Sequence, residues 1–469
     1  MITNELFSYI YTFVVTKSYH QRQIFTNYTK IMKKFFLMFS VVLLSNTILN
    51  AQQVDFTEYD LDNGMHVILH QDNTAPVVTT AVMYHVGAKD ENPERTGFAH
   101  FFEHLLFEGT ANIPRGEWFT IVTSNGGSNN ANTTDDRTYY YEIFPSNSLE
   151  LGLWMESERL LHPVINQIGV DTQNEVVKEE KRLRVDNQPY GNILAEIKKL
   201  IFKKHPYKGT TIGEMEHLDA ATLEEFQEFN KKFYVPNNAV LVVAGDINIE
   251  KTKSMIEAYF GPIPKGKDIE RNFPKEDPVS QDVVAKAFDA NIQIPAIIGA
   301  YRTPSNKDRD TYVLSMISSY LSGGKSSVLY KKLVDDQKQA LAVQAVNISQ
   351  EDYGTYALFA LPLGDVKLMT LINEIDEEIE ILKTDLISER QYQKLQNQFE
   401  NSFVNSNSSI SGIANSLARY YMLYGDVNLI NNEIDIYRSI TREEIRDVAN
   451  KYLKADERAL LEYLPKKEN

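Results

Sequence analysis

The chain has 469 residues, 43% of them hydrophobic and 11% aromatic, enough apolar mass for two cored domains. Its formal net charge of −16 argues against nucleic acid and against anionic membrane surfaces as partners. The absence of cysteine excludes disulfides, a thiolate nucleophile, a Cys-type zinc site and a lipid-modified cysteine anchor.

The first feature in chain order is "MKKFFLMFSVVLLSNTILNAQQ", starting at Met32. Lys33 and Lys34 form a positive n-region, Phe35 to Leu44 an apolar core, and Ala51 closes a small-residue cleavage site. The apolar run is shorter than the roughly 20 residues that span a bilayer. Residues 32–51 are therefore expected to be a secretory signal peptide and the protein to be periplasmic or otherwise exported, without a membrane span once the signal is removed. Residues 1–31 read as an extension ahead of it or as a mis-assigned start. Removing residues 1–51 takes away five Lys/Arg and one Glu and moves the net charge from −16 to −20.

The next stretch predicts a hairpin: "FTEYDL" and "MHVILHQ" flank "DNG", whose Gly64 can take the positive φ of a tight turn. A strand "VVTTAVMYHVG" follows, then a helix containing "HFFEH", a Gly/Asn-rich loop "SNGGSNNANTTDD", a strand "RTYYYEIF" and a helix "SLELGLWMESERLL". Later come a buried-strand pattern, "AVLVVAGDI", and a helix "EKTKSMIEAYFG" ending at Gly261. Strands mixed with long helices predict an α+β fold of layered sheet and helices. Beyond the Pro- and charge-rich "GPIPKGKDIERNFPKEDPVSQD", the stretch "PAIIGAYRTPSNKDRDTYVLSMISSYLSGG" echoes "APVVTTAVMYHVGAKDENPERTGFAHFFEHLLFEGT". The expectation is two copies of one mixed α/β sandwich unit, residues 54–264 and 285–469, joined by a linker at 265–284. Only the first copy carries the histidines, whereas a requirement of the fold itself would recur in both.

On a helix, Phe98, Phe101, Phe102, Leu105 and Leu106 cluster on one side, and His100, Glu103 and His104 share the other at i, i+3 and i+4. Thr96 is the expected N-cap. Two imidazoles one turn apart can reach one ion, and the glutamate beside them supplies the carboxylate a hydrolytic zinc site needs to take a proton from water. The spacing is that of the inverted zincins, His-x-x-Glu-His. A polar helix face that happens to hold two histidines is the plain alternative.

A catalytic zinc usually takes three protein ligands. The best third candidate lies in "DTQNEVVKEEKRLR". Read as a helix, it gathers Val176, Val177, Glu180 and Leu183 on one face and turns Glu175 and Glu179 toward solvent. A carboxylate on an apolar face needs a cation opposite, either a metal or an arginine. Glu179 is the alternative ligand if the helix phase is off by one. The remaining histidines, among them His66, His70, His162 and His205, read as structural.

The segments "GFAHFFEHLLFEGT", "GGSNNANTTDDRTYYY", "VVKEEKRLR", "HPYKGTTIG" and "FYVPNNAVLVVAGDI" together resemble the pitrilysin-type inverted-zincin metallopeptidases, the family of insulin-degrading enzyme and the mitochondrial processing peptidase. The resemblance runs over 54–469. It implies two homologous domains of the mitochondrial-processing-peptidase type, Zn²⁺ held by His100, His104 and Glu180, and Glu103 as general base. The 76 positions between His104 and Glu180 suit the family's distal glutamate. Gln173 stands where relatives often carry a further acid. The resemblance also implies that "NANT", with Asn130, Ala131 and Thr133, is an edge strand on which a peptide substrate lies extended; without it, a polar turn would be the reading.

Active relatives often carry an arginine and a tyrosine in the second half, where this chain has Val334 and Val343, and valine stabilises no oxyanion. A homologous two-domain partner supplying that Arg/Tyr pair is the implied remedy. The functions implied are an exported zinc endopeptidase for extended peptides, a processing peptidase dedicated to one small precursor, or a non-catalytic assembly subunit of the same fold.

Overall fold

A computed structural model of the chain describes residues 53–279 and 283–466. The expected signal peptide at 32–51 and the segment 1–31 lie outside the described residues. Two sheets organise the body that runs from Val54 onward. The first contains β1 (Thr57–Asp60), β2 (His66–Gln71), β3 (Val77–Tyr84), β4 (Ser128–Thr133), β5 (Thr138–Pro145) and β6 (Ala239–Gly245), in the spatial order β1-β2-β6-β3-β5-β4. The second contains β7 (Val283–Asp289), β8 (Ala296–Thr303), β9 (Ala340–Ile348), β10 (Gly354–Pro362) and β11 (Ala459–Pro465), in the order β7-β11-β8-β10-β9. Each sheet holds one parallel pair, β2 with β6 and β7 with β11, and is otherwise antiparallel. Apart from the extra β1, the two orders are the same, so the internal repeat in the sequence is a repeat of topology. The fold is α+β, two mixed sandwiches, as expected.

The predicted hairpin forms with Thr57 opposite Leu69 and Asp60 opposite His66, and Gly64 turns the chain at φ 87°. Every residue of β6 is buried. Leu241 and Val243 point to one face of the sheet, toward α1 (Phe98–Leu105) and α2 (Leu149–Leu161). Val240, Val242 and Ala244 point to the other. A strand covered on both faces reads as a continuous apolar run, which is what "AVLVVAG" is.

The cover on that second face comes from the other half of the chain. The helix later in the sequence, Ile410–Arg419, lays Ile413, Ala414, Leu417 and Ala418 onto Ile68, Ala81 and Met83 of the first sheet. Burying Ile413 and Leu417 there contributes about 1.5–3 kcal/mol each. The exchange is mutual. Ile197 and Ile201, of the helix Ile193–Ile201, pack on Ile298, Ala300, Leu461 and Tyr463 of the second sheet. Each half thus completes the core of the other. The stretch between the halves carries no helix or strand over 265–279, yet it is anchored: Arg271 Nε lies 2.7 Å from Asp90 Oδ1, and Glu276 Oε1 accepts the amides of Lys203, Lys204 and His205 at 2.8, 2.6 and 2.6 Å. Among the described residues no helix is long and apolar enough to cross a membrane.

Candidate metal and catalytic centre

Phe98, Phe101, Phe102 and Leu105 of α1 are all buried in the core of the first half, which turns His100, Glu103 and His104 to the opposite side. The helix is held at both ends. Its N-cap is Gly97, not Thr96: Gly97 has φ 90°, and a Cβ there would meet the Ile212 carbonyl at 2.7 Å. The two first-turn amides, Gly97 N and Ala99 N, donate to the buried carboxylate of Glu91 at 2.7 and 2.8 Å. Thr96 instead bonds the His217 ring at 2.8 Å and accepts the Glu214 amide at 3.0 Å. Sequence reading missed Glu91 because it reaches back over a turn rather than standing at the cap position. At the other end Tyr140 donates to the Phe102 carbonyl at 2.9 Å, and Arg159 Nη1 to the Leu106 carbonyl at 3.0 Å.

Opposite α1 runs α3 (Gln167–Lys181), started by Asn166, whose side chain accepts the Gly169 amide at 2.9 Å. Its inward face corrects the sequence expectation. Val176 and Leu183 are exposed, and the residues turned in are Val170, Gln173, Val177 and Glu180. Glu180 does lie on the inward side, but Val176 and Leu183, which suggested an apolar face there, stand on the far side of the true stripe. Glu179 is exposed and pairs with Arg182 at 3.0 Å, away from the histidines. Gln173 donates to Glu108 at 2.5 Å and does not touch the histidine pair.

His100, His104 and Glu180 each offer one ligand atom, and these atoms lie within 4.8 Å of one another. Glu180 Oε2 is 3.0 Å from His104 Nε2 and 3.5 Å from His100 Nε2, buried, and without a hydrogen-bonding partner of good geometry. Its other oxygen, Oε1, is 2.6 Å from Nη1 of the exposed Arg184, so an arginine and the histidine pair share the carboxylate. Burial, with His104 close by, pushes the His100 imidazole down to about 4, so it is neutral with a free lone pair. The contact with His104 holds Glu180 below the usual carboxylate range, so it is ionised. Two converging imidazole nitrogens and one carboxylate oxygen fit a divalent zinc site that leaves a coordination position open.

Glu103 stands beside this cluster, and Thr133 Oγ1 donates to its Oε2 at 2.7 Å. Burial raises the Glu103 carboxyl above its ordinary range despite that bond. Thr133 is the last residue of β4, which is a strand at the sheet edge rather than a polar turn. Ala131, Asn132 and Thr133 line a cleft of about 470 Å³ together with His100, Glu103 and Glu180, and the cleft's far wall comes from Arg184 and the helix Ile193–Ile201. Asn130 is exposed on β4, its Oδ1 accepting the Ala131 amide at 2.9 Å, and it does not line the cleft. In the second half Val343 is buried in the core and Val334 packs against it, so neither brings a polar group. The other histidines have local partners: His66 with Asp60 at 2.7 Å, His70 with the Asp55 carbonyl at 2.7 Å, His85 with Glu351 at 2.8 Å and His162 with Glu158 at 3.0 Å.

Two family models match the chain, "Insulinase (Peptidase family M16)" over residues 66–214 and "Peptidase M16 inactive domain" over 220–399. His100, Glu103, His104 and Glu180 all fall within the first. The chain is similar to the zinc protease PqqE of Helicobacter pylori (strain ATCC 700392 / 26695), with 29% identity over 405 residues that cover 84% of this chain and 89% of that protein. Among solved structures, a protease from Helicobacter pylori matches with a TM-score of 0.83 at 27% identity, covering 88% of this chain and 100% of that one. The periplasmic protease PqqL from Escherichia coli shares the fold with a TM-score of 0.74 at 18% identity, over 88% of this chain and 48% of that one.

Proposed function

This chain belongs to the insulinase family of peptidases, M16, and from that premise we propose that it is a zinc-dependent endopeptidase acting on extended or unfolded peptides. The observation that carries the reading is the convergence of His100, His104 and Glu180 beside a buried Glu103 in an open cleft. Bound between those three residues, zinc supplies the Lewis acidity that activates a hydrolytic water. Glu103 takes the proton from that water as it attacks the scissile carbonyl. The same carboxyl returns the proton to the leaving amine as the C–N bond breaks. Thr133 fixes the direction of the carboxylate. The free edge of β4 gives the peptide backbone a partner over Asn130, Ala131 and Thr133, of which Ala131 and Thr133 line the cleft.

The chain's own second half offers no donor at Val334 or Val343. We therefore assign it as the metal-bearing subunit of a heterodimer, whose homologous partner contributes the Arg/Tyr pair. The stretch 32–51 supports export to the periplasm or beyond. A non-catalytic assembly role is disfavoured by the retained set of four residues. The test is Glu103→Gln: zinc stays bound and peptide cleavage falls by about 10²–10⁴-fold. Cleavage retained in a zinc-loaded Glu103→Gln chain would overturn the assignment.

A further inference from the structure

The cleft gathers four cationic side chains although the protein as a whole is acidic, with a net charge of −16. Lys181, Arg184, Lys198 and Lys199 line it together with the carboxylates of Glu103, Asp135, Glu180 and Glu214. Three of these cations are spoken for by carboxylates other than the metal-site glutamate. Lys198 is buried against Asp135 at 2.8 Å, and Lys181 is largely covered, 2.7 Å from Asp186. Lys199 pairs with Glu196 at 3.3 Å on its own helix. Arg184 differs. Its side chain is 77% exposed, and among the described residues its one ion-pair partner is Glu180, reached through Nη1 at 2.6 Å.

That geometry leaves most of the guanidinium's five N–H donors open to the cleft while tethering the group beside the metal ligands. An i,i+4 ion pair whose cation is largely exposed holds that side chain only weakly. If Glu180 also serves a metal, its charge is shared and the hold weakens further. Arg184 lies in a π-helical turn, Arg182–Asp186, that continues α3 with a widened backbone, a feature that recurs at functional sites. A peptide laid along β4 sends alternate side chains to opposite faces of the sheet, and those on the face that carries α1 enter the cleft that Arg184 lines. Planar, bidentate recognition of a carboxylate is what an open guanidinium does best.

We propose that Arg184 is a specificity-determining residue that reads an acidic side chain, Asp or Glu, next to the scissile bond of the substrate. The proposal rests on the peptidase reading and names its substrate class, peptides carrying a carboxylate beside the cleavage point.

The experiment uses the full chain, with its partner subunit present where cleavage requires it. Two ten-residue peptides are compared, identical except for Glu or Gln at the residues flanking the central bond. Cleavage of both is measured with wild type, Arg184→Gln and Arg184→Lys, and zinc content is determined for each. Binding of the same peptides, fluorescein-labelled, is measured by anisotropy on Glu103→Gln and on Glu103→Gln/Arg184→Gln. Wild type is expected to favour the Glu peptide by about tenfold in kcat/KM, and Glu103→Gln to bind it about tenfold more tightly. Arg184→Gln removes both preferences by weakening the Glu peptide alone, with zinc content unchanged, and Arg184→Lys restores part of them. Equal loss on both peptides, loss of zinc, or no Glu preference in binding would overturn the proposal. Selective binding of the Glu peptide without cleavage of either would sink the peptidase reading and leave the recognition intact.

Discussion

Thr133 Oγ1 donates a 2.7 Å hydrogen bond to Glu103 Oε2, joining the end of the edge strand to the carboxylate beside the histidine pair. One residue therefore belongs both to the strand that would pair with a peptide and to the group that would move the proton. Strand position and base orientation are coupled through a single hydroxyl. Thr133→Val keeps the shape and the β-propensity but removes the donor. We expect kcat to fall about tenfold, with zinc content unchanged and KM moved by less than a factor of about three, since the strand backbone stays. Steady-state kinetics with metal analysis checks this, and an unchanged kcat would remove Thr133 from the account.

Arg159 is fully buried beneath α1, 3.0 Å from Glu142 and 3.1 Å from Glu156. Its guanidinium lies 4.0, 4.4 and 4.5 Å from the ring centres of Trp118, Tyr140 and Phe107. Arg159→Met leaves two carboxylates in the core with no cation and frees the Leu106 carbonyl. Urea unfolding at neutral pH is expected to show a loss of about 3–5 kcal/mol. Adding Glu156→Gln should recover part of it, since burial already holds the Glu142 carboxyl well above its ordinary range and Glu156 is the carboxylate left without its cation.

The two halves meet through a charged cluster in which Lys89 Nζ lies 2.7 Å from Glu351 and 2.9 Å from Asp352, and His85 lies 2.8 Å from Glu351. Burial alone would raise the Glu351 carboxyl, but the His85 bond and the Lys89 charge outweigh it and hold it at about 2 against an ordinary 4.5. A depressed carboxyl contributes stability that is fully present above its ordinary value and is lost as pH falls toward the folded one. Glu351 thus contributes on the order of 3 kcal/mol that disappears between about pH 4.5 and about pH 2. Thermal unfolding against pH should be shallower over that window in Glu351→Gln than in wild type. Parallel profiles would contradict the assignment.

Much of this was legible in the sequence where burial imposes a period. Phe98, Phe101, Phe102 and Leu105 marked the core side of α1, and with it the outward set His100, Glu103 and His104. The continuous run in β6 marked a strand covered on both faces. What periodicity could not show lacked such a signature or depended on partners far along the chain. β4 is built of asparagines and small residues, so its strand character has no apolar signature. The inward stripe of α3 holds Val170 and Val177 but also Gln173 and Glu180, so apolar spacing pointed to Val176 and Leu183 instead. The exchange of helices between halves, Ile413 onto the first sheet and Ile197 onto the second, is set by tertiary packing alone. Arg184 carried one faint signal, an arginine four positions beyond Glu180, which puts the two on one helix face.

The centre of the account is that His100, His104 and Glu180 hold one ion together. The most direct measurement is the zinc content of the purified chain and of Glu180→Gln, after dialysis against a weak chelator. The account predicts one zinc per wild-type chain and loss of nearly all of it in Glu180→Gln with the fold intact by circular dichroism. A wild-type chain that takes up no zinc, or a Glu180→Gln chain that binds it as tightly, would contradict it.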